Sequence, residues 1–254
     1  MLNIILPSLP YSRALDPMWA AEAAEARRLG CQVCLYDAEQ PRLYQPPAVA
    51  WPTLYRGWML GEPEYRQLAA LTPLLVSPAQ YLASHYATGW YAAVAPLTPR
   101  SVFAPAAEAA PAVADFLRAD GRCFVKGLAK SFGADSVVTS LADVAALLRK
   151  HDVAPGEQLF IREFVALADQ PEERFFAVRG AAFGASGQPL PARLRPALAA
   201  LQSRWLYTVD VAYTAGGEAI IIEIGDGQVS DTKEWQLAEL YHTVLRQVAE
   251  QAGR

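Results

Sequence analysis

Two β-patterned runs joined at Gly216-Gly217, together Tyr207 to Asp226 (YTVDVAYTAGGEAIIIEIGD), constrain this chain more than any other segment. β-Branched and aromatic residues fill both runs, and the glycine pair suits the positive φ angles of a two-residue hairpin turn. Folding the runs about those glycines sets Asp210 directly opposite Glu223, with Cβ atoms about 4.5–5.5 Å apart. The reverse face, Val209, Val211, Tyr213, Ile220, Ile222 and Ile224, reads as core. Facing carboxylates destabilise a sheet unless a cation lies between them. A magnesium ion would resolve the conflict.

The chain has 254 residues, 53% of them hydrophobic, enough to bury one large core or two smaller ones. A formal charge of -4 provides no overall basic field for a nucleic-acid backbone. No run approaches the roughly 20 apolar residues of a membrane helix, and MLNIILPSLP is too short and uncharged for a signal peptide. The expected compartment is the cytoplasm. Cys31 and Cys34 spell C-x-x-C, but CQVCLYD has the pattern of a strand, which points positions three apart to opposite faces. With His85, His151 and His242 widely spaced, neither a redox pair nor a zinc site gains support.

The opening reads as strand (Leu2 to Leu6), helix (Pro17 to Leu29) and strand (Cys31 to Tyr36), with Asp16 as N-cap and Gly30 as C-cap. The first turn, PSLPYSR, lacks the glycines that a dinucleotide pyrophosphate needs, which excludes such a site there. A strand at Thr53 to Arg56 and helices at Pro63 to Leu71 and Pro78 to His85 follow. The Ala- and Pro-rich run Val94 to Pro111 looks like a boundary. Beyond it the pattern predicts a helix (Ala112 to Arg118), a strand (Arg122 to Lys126), a glycine loop (Gly127 to Ser136) and a helix (Leu141 to His151). Strands at Gln158 to Val165 and Glu173 to Val178 join the hairpin in a largely antiparallel set, with a helix around Ala192 to Gln202 and a last one from Thr232 to Gln251. Asp231 and Glu234 have capping-box spacing for that last helix.

Several residues could carry chemistry. Lys126 ends a strand beside GLAKSFGADS, where an ammonium and backbone N–H groups can converge on an anion; Lys130 and Ser131 look like ordinary exposed loop residues. In LFIREFV, Arg162 and Glu163 alternate with apolar groups, so each must be paired or face a cleft. Glu172, Glu173 and Arg174 pose the same question in PEERFFAV. Asp226, in the tight turn after Glu223, could reach a metal, although turn chemistry alone also explains it. Arg56 and Trp58 lie far away in YRGWM, where a surface Arg beside a core Trp is the default.

Taken in order, YRGWM, TPRSVF, FVKGLAKSFG, FIREFV, EERFFAV and VDVAYTAGGEAIIIEIGDGQVSD resemble the ATP-grasp superfamily, in a small clade found in bacteria and their viruses. The resemblance implies a mixed α/β and α+β chain: an N-terminal α/β domain (residues 1–98), then an ATP-grasp domain (99–254) whose small subdomain (99–165) and large subdomain (166–254) grip ATP. It implies that Lys126 contacts the phosphates and that the loop of Lys130, Ser131 and Gly133 covers them. The strand carrying Arg162, Glu163, Phe164 and Val165 would be the hinge under adenine, with Glu163 near the base, Glu173 near the ribose and Arg174 on the phosphates. Asp210 and Glu223, with Asp226, would hold Mg²⁺. The chain departs from the family twice. The Glu-x-Asn metal motif reads Glu223-Ile224-Gly225, which leaves the asparagine's task to Asp226 or Gln228, or unfilled. An earlier lysine has no counterpart; only His85 and Arg100 are nearby.

The implied function is a Mg²⁺-dependent carboxylate-amine or peptide ligase that works through an acyl phosphate, with Arg56 offered to the carboxylate of the acid substrate. The alternatives are a non-catalytic nucleotide-binding or interaction module and a phosphotransferase. The acid, the amine and the oligomeric state are not legible.

Overall fold

The computed structural model describes residues 1–253. Its first sheet is built from β1 (Asn3–Pro7), β2 (Gln32–Asp37), β3 (Arg42–Leu43) and β4 (Thr53–Tyr55) in the order β3-β2-β1-β4. β1 runs parallel to β2 and β4 and is buried along its whole length, as a strand covered on both faces must be. α1 (Ala20–Arg28) makes the crossover; the Asp16 carboxylate accepts from Met18 N at 3.0 Å and caps the short 3₁₀ turn Pro17–Trp19 ahead of it. Cys31 and Cys34 are free thiols, half-buried and buried respectively.

Three helices lead out of this sheet: α2 (Glu62–Leu71), α3 (Pro78–His85) and α4 (Ala87–Val94). α3 starts on a reciprocal capping box between Ser77 and Gln80. A second sheet follows, made of β5 (Ser101–Pro105), β6 (Cys123–Gly127), β7 (Val137–Val138) and β8 (Gln158–Glu163) in the order β5-β8-β6-β7, all antiparallel. α5 (Ala109–Asp120) and α6 (Leu141–Lys150) pack on it through Val113, Phe116 and Leu147. The run Val94 to Pro111, expected as a boundary, therefore contains a strand; β5 is an edge strand, where Pro105 costs no ladder bond.

The third sheet, β9 (Glu173–Val178), β10 (Ala181–Phe183), β11 (Leu206–Tyr213) and β12 (Ala219–Asp226), has the order β10-β9-β11-β12. α7 (Arg195–Ala200) covers it through Ala197, and Trp90 of α4 lies in the same core. Phe160 of β8 reaches that core too, 5.7 Å from the Trp90 ring and 4.9 Å from Phe103, so aromatic packing ties the second sheet to the third. The chain ends in α8 (Leu237–Leu240), a π-helical turn (Tyr241–Leu245) and α9 (Arg246–Ala252). Leu240, Tyr241, Val244 and Val248 share one core with Ile4, Leu6 and Leu54 of the first sheet. Among the described residues no helix is long and apolar enough to cross a membrane.

The hairpin differs from expectation in a way that cancels. Its turn is wider than Gly216-Gly217: Thr214 N donates to the Glu218 carbonyl at 2.9 Å, and only Gly217 of the pair has a positive φ. That alone would set Asp210 against Ile222. A β-bulge opposite the Asp210–Val211 step absorbs one residue of β12 and restores the pairing of Asp210 with Glu223. The bulge also exchanges two isoleucines: Ile221 is core and Ile222 turns toward a cavity, while Ile220 and Ile224 are buried as expected.

Candidate active site

Register places three charged side chains side by side across three strands, Arg174 on β9, Asp210 on β11 and Glu223 on β12. Arg174 grips Asp210 with both prongs, Nε to Oδ1 at 2.8 Å and Nη2 to Oδ2 at 2.6 Å. The Lys233 ammonium lies 3.4 Å from Asp210 Oδ2. Glu223 instead meets Lys126, which comes from β6 of the second sheet, at 3.1 Å. The protein thus answers each carboxylate with its own cation, and a metal is not needed to make the pair tolerable. Burial opposes charge on Arg174 and Lys233, yet Asp210, with Asp231 and Glu172 beside it, holds both above their ordinary pKa.

The donor set nevertheless fits Mg²⁺. That ion is held by one or two carboxylates together with waters and phosphate oxygens, not by an all-protein cage. Among the described residues no group of three or more His, Cys, Asp or Glu could hold a metal unaided. Asp226 does not join the pair. It lies three positions beyond Glu223 on an alternating strand and so faces the other way, fully buried, with Oδ1 accepting from Gln228 N and Nε2 at 3.0 Å each. Gln228 is closed as well, bound to Tyr65 and Tyr55. At the motif's asparagine position, a Cβ on Gly225 would come within 2.5 Å of Thr208 Oγ1 and 3.1 Å of Ser230 Oγ. Those two hydroxyls, 3.1 Å apart, fill the space that an asparagine would take.

A cavity of 350 Å³ opens where β8 leaves the second sheet, lined by Phe124, Val137, Arg162, Glu163, Phe164, Val165 and Ile222 among others. Its walls are mostly apolar, with Glu163 and Glu172 on the rim. Arg162 is fixed as a strut: Nη1 donates to the Ile222 carbonyl at 2.8 Å, Nη2 to Thr98 Oγ1 at 2.6 Å and Nε to Ser101 Oγ at 3.3 Å. Burial lowers its pKa to about 10. Glu163 accepts from Arg100 N at 2.7 Å, and the Arg100 side chain lies over the Phe116 ring, not toward the carboxylate pair. Glu173 accepts from Tyr213 Oη at 3.2 Å.

The glycine loop folds on itself. Gly127 N donates to the Lys130 carbonyl, Lys126 bridges to Ser131, and Gly133 takes φ +63° to start a 3₁₀ turn. Lys130 and Ser131 line a cavity of 670 Å³ with His85, Tyr86 and Gly127, apart from the apolar cavity beside β8. Arg56 lies at the wall of a cavity of 420 Å³ but is 1% exposed, with its guanidinium fully engaged inside the protein. It pairs with buried Glu22 through Nε and Nη2, and its Nη1 donates to the carbonyls of Gly227, Gln228 and Ser230. The sequence pattern YRGWM carried no sign of that closure, since Glu22 is distant along the chain.

Lys233 is the site residue that the sequence reading missed. Spacing made Asp231 and Glu234 a capping box, but both turn to Arg174: Asp231 Oδ1 accepts from Nη1, and Glu234 Oε1 accepts from the backbone N at 2.6 Å. The last helix begins only at Leu237, and Lys233 stands in the loop before it with φ +43°.

A family model described as an ATP-grasp domain, the third family of its clade, matches residues 74–246. No curated protein sequence matches the chain. Among solved structures, the D-cycloserine synthetase DcsG superposes with a TM-score of 0.69 at 14% identity, covering 99% of both chains. The D-alanyl-alanine synthetase A from Vibrio cholerae O1 biovar eltor str. N16961 gives 0.60 at 13% identity, covering 99% of this chain and 98% of that one. The ATP-grasp ligase PsnB, complexed with minimal precursor, Mg and ADP, gives 0.59 at 12% identity over 96% and 97%. At these identities the likeness is one of fold.

Proposed function

The chain belongs to this clade's third family of ATP-grasp domains, and from that premise we propose that it is an ATP-dependent, Mg²⁺-dependent carboxylate-amine or peptide ligase. The observation that carries the reading is the convergence of Lys126, Arg174, Asp210 and Glu223 from two sheets beside an apolar cavity. That cavity suits adenine, with Phe164, Val165 and Ile222 against the base and Glu163 and Glu172 at its polar edge. Glu173, held by Tyr213, is assigned to the ribose side. Asp210 and Glu223 would hold Mg²⁺, which would supply charge neutralisation on the phosphates.

The substrate carboxylate oxygen attacks the γ-phosphorus as the bond to ADP breaks, giving an acyl phosphate; an amine then adds to the acyl carbon, and phosphate leaves with the bonding pair as the nitrogen gives up one proton to phosphate or solvent. Lys126 and Arg174 hold the phosphate oxygens and stabilise the negative charge spread over them in the transition state. Arg162 fixes the cavity wall through Ile222 and Thr98 and touches no reacting atom. The names of the similar structures support peptide or small-molecule acids and amines as substrates. The cytoplasm, where ATP is supplied, is the compartment this reading proposes.

The test is ADP release from Mg-ATP with a panel of carboxylates and amines, read beside product mass. Lys126→Ala should lower turnover by roughly 10²–10³ while leaving the melting profile in place. Unchanged ADP release in that variant would remove Lys126 from the reaction. Mg²⁺-dependent ATP binding with no ADP from any pair would favour a non-catalytic nucleotide module, and ADP without an amide would favour a phosphotransferase.

A further inference from the structure

Lys233 has an arrangement that a surface lysine does not need. Its side chain is 26% exposed, and its ammonium touches two carboxylates, Glu172 at 3.1 Å and Asp210 at 3.4 Å. Glu172 lines the apolar cavity; Asp210 belongs to the carboxylate pair. The ammonium therefore sits on the line between the two halves of the site. A flexible, unbranched side chain could reach that point from many backbone conformations, yet this one is held at φ +43°, a region that L-residues enter at a cost.

The backbone is held there from both sides. Asp231, before it, is bound to the Arg174 guanidinium, and Glu234, after it, accepts from Arg174 N. Trp235 Nε1 donates to the Arg174 carbonyl at 2.9 Å, with its indole buried against Phe176 at 5.7 Å between centroids. Trp235 N closes the turn on the Thr232 carbonyl at 2.9 Å. One β9 residue thus pins the loop at three points, and between them the lysine ammonium reaches Asp210 and Glu172.

We propose that Lys233 is a polyphosphate-binding residue, whose ammonium passes from Asp210 and Glu172 to the phosphate oxygens of a nucleotide. The inference rests on the ATP reading above. A nucleotide with its base in the cavity and its phosphates at Asp210 and Glu223 must run past this ammonium. Both present partners are carboxylates, which a phosphate oxygen can replace without leaving a neutral acceptor unpaired. Asp210 would be one of the residues that hold Mg²⁺, whose charge would supply the neutralisation that Lys233 gives that carboxylate here.

The experiment is calorimetric titration of adenosine, ADP and ATP, each with Mg²⁺, into the whole chain and into Lys233→Ala, Lys233→Arg and Lys233→Gly. Loss of a charge-assisted phosphate contact should weaken ATP and ADP about tenfold or more in the Ala and Gly variants, with adenosine unchanged within about twofold and Arg restoring most of the loss. Lys233→Gly also relieves the left-handed backbone, so it should melt above Lys233→Ala while binding phosphate no better. ATP affinity that survives in Lys233→Gly, or adenosine affinity that falls in step with ATP, overturns the assignment. If the unaltered chain binds ATP no more tightly than adenosine, the ATP reading itself fails, and this inference with it.

Discussion

Two charged regions lie on opposite faces of the same strand end, and they differ in what their cations touch. On one face Arg56 is closed in by Glu22 and three carbonyls, Tyr241 Oη donates to the same Glu22 at 2.8 Å, and Asp226 is tied to Gln228. On the other, Lys126, Arg174 and Lys233 meet chiefly carboxylates, one of which, Glu223, has a side chain 30% exposed. Burial of charge is common to both. The difference is exchangeability: fixed neutral carbonyls cannot be given up without an orphaned buried group, whereas a carboxylate-cation pair can open to admit an anion and a metal together. The first region joins the N-terminal sheet to the loop after β12, and the second is the proposed site.

The largest expected effect breaks this contrast if it is wrong. Arg56→Ala leaves Glu22 buried without its cation and should cost about 3–5 kcal/mol of stability, read as a lower urea midpoint. A variant that keeps its midpoint and instead shows a raised KM for the acid substrate would return Arg56 to the site. Asp226 gives the next effect. Burial pushes its carboxyl up to about 7, against the pull of Arg56 and Arg204, with Tyr65 and Tyr81 beside it. The native state then binds a proton that the unfolded chain releases near pH 4, so this group's contribution declines as pH rises from about 4 to about 7 and levels off above. The decline should be on the order of a few kcal/mol, and Asp226→Asn should abolish it. Parallel stability-pH curves for the two proteins would show that Asp226 is not the group responsible.

What the sequence disclosed follows the range of the interactions involved. Alternation and turn residues act over a few positions, and they were enough to find the carboxylate pair, the strand of Arg162 and Glu163, and Lys126 beside its glycine loop. The pairing of Asp210 with Glu223 was reached through a turn that does not form, because a wider loop and a bulge shift the register in opposite senses. Strand alternation already separated Asp226 from Glu223; tight-turn chemistry hid that. Arg56 and Lys233 needed contacts that no local pattern encodes. Glu22 lies 34 positions before Arg56, and Arg174 lies 57 before Asp231, so a local capping-box signal outweighed the true partners. Gly225 carries a plain signal in hindsight: glycine opposite Thr208, with Ser230 following, is room for two hydroxyls.

The smallest effect on stability sharpens the contrast from the open side. Glu223 is partly exposed and contacts Lys126 through one oxygen. Glu223→Gln keeps an acceptor for that ammonium, so its stability cost should be about 1 kcal/mol, well below that of Arg56→Ala. The same change removes a hard anionic donor from the proposed Mg²⁺ site. The gain in ATP affinity on adding Mg²⁺, measured by calorimetry with and without the ion, should therefore shrink about tenfold or more, while adenosine binding stays as it was. A variant that is strongly destabilised, with its Mg²⁺ gain intact, would make Glu223 a structural partner of Lys126 in the way that Glu22 is of Arg56, and the two faces of the strand would no longer differ in kind.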